Sequence, residues 1–374
     1  MKRLSISGST AENLLIHGDN LVALASISQD LAGSVRCCYM DPPYNNQERY
    51  SHYDDRAPHE LWLAEMRSHL ELVAPLLRQD GSLWISIDDR QMHYLKVVAD
   101  EVLGRDRFVT TIVWEHRNTR ENRKVFSNNH EYLLVYAADP TLFRQSRNLD
   151  EPSPEQLSRY RNPDDDPRGD WQSVSLTAQA GHGTQSQFYA VTSPNGTKHF
   201  PPKGRCWVYN ENRMSQAILD DRVWFGKDGC GVPRLKRFLA DGPVGLTPET
   251  LWKSEQVGTT TTAKKEILTL FPEEQVFDTP KPESLLHRIL SISTDPGDLV
   301  LDSYLGSGTT AAVAHKMGRQ WLGIEVGDHA TSLCRERLNL VIAGENGGIS
   351  GRVGWTGGGD FDVLDWSRVL AEAA

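Results

Sequence analysis

The stretch from Val35 to Tyr50, "VRCCYMDPPYNNQERY", sets the strongest limit on how this chain folds. An apolar, strand-like run stops at Asp41-Pro42-Pro43-Tyr44 and gives way to polar residues. Neither proline has an N–H to donate, so no sheet continues through them. A buried strand therefore ends in a carboxylate, a stiff backbone step and an exposed aromatic ring.

A second stretch has related grammar. "LVLDSYLGSGTTAAVAHKMGRQWLGIEV" (Leu299 to Val326) reads as a strand ending in Asp302, then Gly306-Ser307-Gly308 opening a helix at Thr309, then a strand ending in Glu325. Small residues let backbone approach a ligand, and a helix N-terminus favours anionic groups. An acidic residue closing the next strand is a usual partner for ribose hydroxyls in such folds. No Gly-Lys-Ser/Thr follows the glycines, which argues against a phosphate-binding loop. A nicotinamide site and a plain glycine-requiring turn both stay open on these residues alone.

The rest of the chain places these two stretches. "NLLIHGD" predicts a short strand, with a helix from Asn20 to about Leu31. Trp62, Met66, Leu70, Val73 and Leu77 recur at helical spacing between Pro58 and Leu77. "GSLWISIDD" is a buried strand, and the helix after it is stopped by Gly104. "FVTTIVWEH" and "HEYLLVYAAD" are two more strands joined by a polar, basic link. From about Pro140 to Glu274 the texture turns to Gly, Pro, Trp and polar residues with little periodicity, as in a subdomain of short strands and loops. Regular alternation then returns, with a helix in "PKPESLLHRILSIST" and a last helix from about Asp328 to Ala343. The expectation is an α/β fold with a mostly parallel sheet and helices on both faces. Residues 1–140 and 275–374 would build it around an inserted subdomain at 141–274.

Composition excludes several classes. Five cysteines, odd in number and without a C-x-x-C pair, argue against a disulfide framework and a structural zinc, so no metal is expected. Cys37 and Cys38 lie within an apolar strand and read as core residues. No apolar run approaches the ~18 residues of a membrane span, and the N-terminus lacks a signal-peptide core, so the expected location is cytoplasmic without a membrane partner. The formal net charge of -10 gives no support to nucleic-acid binding, which nevertheless needs only a local basic surface.

Together, the two motifs resemble those of the amino-group DNA methyltransferases of the β arrangement, and are most similar to the Mod subunits of type III restriction–modification systems. In that arrangement the D-P-P-Y motif comes first, a target-recognition region follows, and the S-adenosylmethionine motif comes last, as here. "HGDNLVAL", "NNHEYLLVYA", "YRNPDDDPRGDW", "GRCW", "FDTPKPESLL" and "GGGDFDVLDW" extend the resemblance over nearly the whole chain. Tyr304 departs from it, since Phe is usual before the glycines, and Mod subunits are generally longer. The resemblance implies a Rossmann-like S-adenosylmethionine-dependent sheet with circularly permuted motif order and an inserted target-recognition subdomain. It implies methyl transfer to adenine N6 of a base flipped out of duplex DNA, a homodimer, and a place for a restriction nuclease subunit.

An adenine amine is a poor nucleophile because its lone pair is delocalised into the ring. Asp41 and the Pro42 carbonyl can accept its hydrogens and favour the tetrahedral form, Pro43 completes the rigid step, and Tyr44 can stack on the flipped base. Gly306, Ser307 and Gly308 would line the methionine end of the cofactor, with Asp302 and Thr309 nearby and Glu325 on the ribose. The resemblance adds Asp19 toward the cofactor adenine and Thr279, Lys281 and Pro282 toward its amino-acid part. Asp19 also reads as a helix cap, and Lys281 as a solvent-facing lysine. Arg117, Arg120, Arg123 and Lys124 in the basic link, and Arg234, Lys236 and Arg237 in "RLKRF", are candidate DNA contacts or plain solvated charge. Competing readings are cytosine N4 methylation, where Ser usually replaces the Asp, RNA or protein-amide methylation, and a non-catalytic recognition subunit of a restriction complex. The absence of a Pro-Cys dipeptide leaves the covalent route to cytosine C5 without its familiar nucleophile.

Overall fold

The computed structural model describes residues 11–46, 55–150, 152, 154–242, 245–272 and 279–366. The chain divides into two compact units, one built from 1–148 with 248–374 and the other from Leu149–Thr247. In the first, nine strands form one sheet: β1 Leu14–His17, β2 Val35–Met40, β3 Leu77–Ile87, β4 Phe108–Trp114, β5 Glu131–Ala137, β6 Leu251–Trp252, β7 Leu299–Asp302, β8 Gln320–Glu325 and β9 Asp362–Asp365. Their order in space is β6-β4-β5-β3-β2-β7-β8-β1-β9. Only β5 runs antiparallel to its neighbours.

β2 and β7 lie side by side, with Leu301 opposite Cys38 and Asp302 opposite Tyr39. The chain leaves β2 toward β3 on one side and β7 toward β8 on the other. Their carboxyl ends therefore flank the point where strand order reverses, which is where open α/β sheets hold ligands. The two motifs meet there although more than half the chain separates them.

Strand periodicity explains the layers. In β2, Cys38 and Met40 face one core while Cys37 and Tyr39 face the other, and all six residues are buried, as expected of a central parallel strand. Helices α1 (Asn20–Ile27), α2 (His59–Val73) and α3 (Met92–Leu103) cover the first face. On the second face lie α5 (Glu283–Ser293), α6 (Thr309–Lys316) and α7 (Leu333–Ile342), with α4 (Thr260–Leu270) resting through Ile267 on Leu333. Trp62, Met66, Leu70 and Val73 point α2 into the core as their spacing predicts. Leu77 instead opens β3, because Pro75 cannot extend the helix. Every residue of α6 is buried, including Lys316, whose ammonium pairs with Glu283 at 2.8 Å and with Glu345. Glu283 also accepts from Arg337 at 3.0 Å, so one buried carboxylate ties α5, α6 and α7 together behind the glycine loop.

The inner unit is narrower than the 141–274 expected from texture. The helix Pro140–Ser146 buries Phe143 in the main core, and β6 pairs with β4 while Trp252 packs against Trp84 at 6.1 Å. A two-residue strand in a Gly/Pro-rich stretch has no periodicity to read. β9, inside the glycine-rich tail, was hidden likewise and pairs in parallel with β1. The inner unit holds a three-stranded antiparallel sheet (171–175, 234–238, 223–224), two short strand pairs and a helix at 211–219 around Leu176, Trp207, Met214 and Phe225. No helix among the described residues is long and apolar enough to cross a membrane.

Candidate active site

Asp41 follows directly on β2, and the Pro-Pro step after it is anchored from α2. Trp62 Nε1 donates to the Pro43 carbonyl at 2.7 Å. The Pro42 carbonyl accepts no hydrogen bond among the described residues, so it stays available to a ligand. The Asp41 carboxylate is held from across the unit: Lys281 Nζ donates to both its oxygens at 2.7 Å. Tyr44 is half-buried rather than exposed, with its hydroxyl 3.1 Å from Asp41 Oδ1 and 3.0 Å from Glu131 Oε2. Lys281 Nζ also lies 5.1 Å from the centre of the Tyr44 ring. Lys281 is therefore no solvent-facing lysine but a buried cation paired with the Asp41–Tyr44 motif.

Electrostatics follow from this packing. Burial alone would lower the Lys281 pKa, but the carboxylates of Asp41 and Glu131 outweigh it and hold the amine charged. Glu131, at the start of β5, is raised by burial first and by Asp41, with Lys281 opposing. His116 Nδ1 is 3.3 Å from Glu131 Oε1, and burial with Arg117 and Lys281 nearby brings this imidazole down to about 4. It is a neutral hydrogen-bonding group at neutral pH.

The other half of the site is built by β7, β8 and the glycine loop. Asp302 is pushed up to about 7 by burial, with the charges of Asp41 and Glu325 adding to it. Glu325 accepts from the Gly306 N–H at 2.7 Å and the Gly327 N–H at 2.9 Å. Burial would raise its pKa, yet His329 and those two N–H groups bring it below the ordinary value. Gly308 has φ 79° and caps α6, and a Cβ there would sit 3.3 Å from Cys334 Sγ. Glycine is needed at that point for backbone shape and close packing together.

One cleft of about 660 Å³ joins the two halves. It is lined by Asp41, Pro42, Pro43 and Tyr44 from the first motif and by Asp302, Gly306, Ser307, Thr309 and Glu325 from the second. Asp19, Thr279 and Lys281 line it too, whereas Gly308 and Pro282 do not. Asp19 is at once a cleft residue and the cap of α1, accepting from Val22 N at 3.0 Å. Phe277 and Asp278 of "FDTPKPESLL" lie outside the described residues. Sequence reasoning missed Glu131, His116, Glu65 and Ser303, all four near or on the cleft wall. Only Glu131 carried a signal, as the charged residue that opens the "HEYLLVYAAD" strand.

The basic residues divide. Arg117 and Lys124 line the cleft, while Arg120 and Arg123 stand exposed in the link between β4 and β5. Val125 and Phe126 of that link are 94% and 87% exposed. In the inner unit Arg234 and Arg237 are exposed, Arg234 donating to Ser173 Oγ at 2.5 Å. Lys236 is not available as a DNA contact. It is 1% exposed, and its ammonium lies 2.6 Å from Asp164, 3.1 Å from Asp166 and 3.0 Å from Asp221. Strand alternation turns it inward, which a short basic run does not reveal. Those three aspartates are the one group of potential metal ligands among the described residues, and Lys236 supplies their cation.

A doubly wound sheet with an acidic, glycine-lined crevice at its switch point defines a class of α/β enzyme that holds a nucleoside-bearing ligand. More narrowly, the chain belongs to the DNA methylase family, whose profile matches residues 35–336. It is 34% identical to the type III restriction-modification enzyme StyLTI Mod subunit of Salmonella typhimurium, over 80% of this chain and 49% of that protein. It is 28% identical to the type II methyltransferase M.EcaI of Enterobacter cloacae, over 88% and 70% respectively. With the DNA adenine methyltransferase YhdJ of Escherichia coli it shares 23% identity, over 87% and 83%. The chain spans about half the length of the type III relatives it matches.

Proposed function

We propose that this chain transfers a methyl group from S-adenosylmethionine to N6 of an adenine flipped out of duplex DNA. The observation that carries the reading is the single cleft shared by Asp41–Tyr44 and the Gly306–Glu325 loop. The names of the type III, type II and adenine-methyltransferase relatives support it.

The cleft residues fit the cofactor. Glu325 ends β8 where ribose hydroxyls would lie, Gly306 and Ser307 offer close backbone approach, and Thr309 opens α6 toward a carboxylate. Ser303 Oγ lines the cleft, buried and without a hydrogen-bond partner among the described residues, as a ligand-facing hydroxyl would be. Asp19 and Glu325 give the pocket negative charge, which suits a sulfonium and an ammonium. When bound, the cofactor supplies an electrophilic methyl group on positively charged sulfur. Asp41 and the Pro42 carbonyl accept the amine hydrogens and turn the nitrogen lone pair toward that methyl. Breaking the methyl–sulfur bond as the N–C bond forms would leave a neutral thioether and a cationic nitrogen, whose charge Asp41 is placed to stabilise and whose departing proton it is placed to take.

The unit Leu149–Thr247 would read the target sequence. Arg117, Arg120, Arg123 and Lys124, with Arg234 and Arg237, would contact phosphates. A second copy of the chain and a nuclease subunit are the partners this reading adds. Single-molecule sequencing of DNA from cells expressing the wild type or Asp41→Ala tests it. Modified adenines in one sequence context, absent with the variant, are expected. Modified cytosines would replace the reading with N4 methylation, and no mark in either case would overturn it.

A further inference from the structure

Two carboxylates compete for one cation beside the Pro-Pro step. Lys281 Nζ is 2.7 Å from both Asp41 oxygens and 3.9 Å from Glu131 Oε2. Tyr44 has a single hydroxyl proton, yet its oxygen is within hydrogen-bond distance of Asp41 and of Glu131, so it serves only one as donor at a time. In this arrangement both Asp41 oxygens face an ammonium and Asp41 is a weakened acceptor. That is the wrong state for drawing out the lone pair of an amine.

Glu131 is placed to relieve it. Its Oε1 lies 3.3 Å from His116 Nδ1, and its Oε2 is turned toward Lys281 and Tyr44. A small movement at the tip of a flexible four-carbon side chain carries the ammonium from one carboxylate to the other. We propose that entry of the target base hands Lys281 from Asp41 to Glu131, freeing Asp41 and the Pro42 carbonyl to accept the two amine hydrogens. The proposal rests on the methyl-transfer reading above. Glu131 is then a positioning residue that acts on Asp41 through Lys281 and does not touch the base. Before the base arrives, Lys281 satisfies the Asp41 carboxylate. Once it arrives, the incoming donors compensate Asp41 and the cation has a second partner close by.

The test is a double-mutant cycle on the full chain. Single-turnover transfer of a labelled methyl group to unmethylated genomic DNA is measured for wild type, Glu131→Gln, Lys281→Gln and the double variant. Cofactor affinity and thermal unfolding are read for each. Glu131→Gln keeps a hydrogen-bonding side chain beside Tyr44 and removes only the charge. It should slow transfer about 30-fold in the wild-type background, a coupling typical of contacting charged groups. Its cofactor affinity should be unchanged, and in the Lys281→Gln background the same substitution should have less than about twofold effect, as for residues that act as one unit. Equal slowing in both backgrounds, no slowing in either, or slowing matched by lost cofactor affinity and a lower unfolding temperature would each overturn the handover. A wild type that transfers no methyl group to any DNA would instead overturn the methyl-transfer reading itself.

Discussion

Each of the two units buries a lysine among carboxylates, and the two sites have opposite character. Around Lys236, Asp166 is itself fully buried and also takes Arg168 at 2.6 Å, while Asp221 reaches in from the surface, so the buried charges are matched. Around Lys281, the Asp41 side chain keeps 21% of its surface and faces the cleft beside a Pro42 carbonyl that accepts no hydrogen bond among the described residues. A buried ion pair whose charges are matched within the protein holds a fold together. One that opens onto a cavity with acceptor capacity left over holds a reactive group ready. The difference lies in what surrounds the pair and not in the residues that make it.

The largest expected effect tests the Lys236 site. Lys236→Met removes the buried cation shared by Asp164, Asp166 and Asp221, leaves Arg168 on Asp166, and should cost up to about 3–5 kcal/mol of stability, the range for loss of one partner from a buried ion pair. Chemical denaturation should show this as an early transition. Lys281→Met leaves Asp41 with solvent in the cleft and should cost markedly less. Equal losses at the two positions would erase the distinction between the two sites.

The pH response should sharpen it. Arg168 beside Asp166 holds that carboxyl well below the ordinary 3.8, and Lys236 adds to this. The stability it contributes is complete above 3.8 and is lost as pH falls further. Asp302 in the cleft is pushed up to about 7 by burial. Between 3.8 and about 7 the folded state holds a proton there that the unfolded state has released. This group therefore lowers stability as pH rises through that window, with a slope approaching ~1.4 kcal/mol per pH unit. Asp302→Asn should flatten the difference between melting curves at pH 5 and pH 8, and should weaken cofactor binding measured by calorimetry. An unchanged pH profile would show that Asp302 is charged throughout.

The smallest effect concerns the glycine loop. Gly308→Ala forces a side chain into left-handed backbone against Cys334, which should cost about 1–2 kcal/mol. Cofactor affinity should fall severalfold while the inner unit melts as before.

Most of the sheet was legible because its strands and helices carry strong periodicity. "GSLWISIDD" and the Trp62–Val73 spacing became β3 and α2, with only Leu77 passing from the helix to the strand. The short pieces were not. β6 and β9 are strands only because β4 and β1 offer them an edge, and neither has a pattern of its own. "RLKRF" read as a basic patch because a charge run says nothing about which side chain turns inward. Asp41, Pro42 and the glycine loop stood out because each breaks a local rule that a plain strand or helix would keep.

The amino-acid sequence by itself determined the two strand-ending motifs, their order along the chain and the α/β grammar around them. All of these rest on interactions between near neighbours. Only the tertiary structure decided that Lys281 holds Asp41, that Glu131 stands ready beside it, and that Lys236 is buried. Those contacts join residues far apart in the chain. Coulomb attraction and desolvation act through distance in space, which no spacing along the sequence encodes.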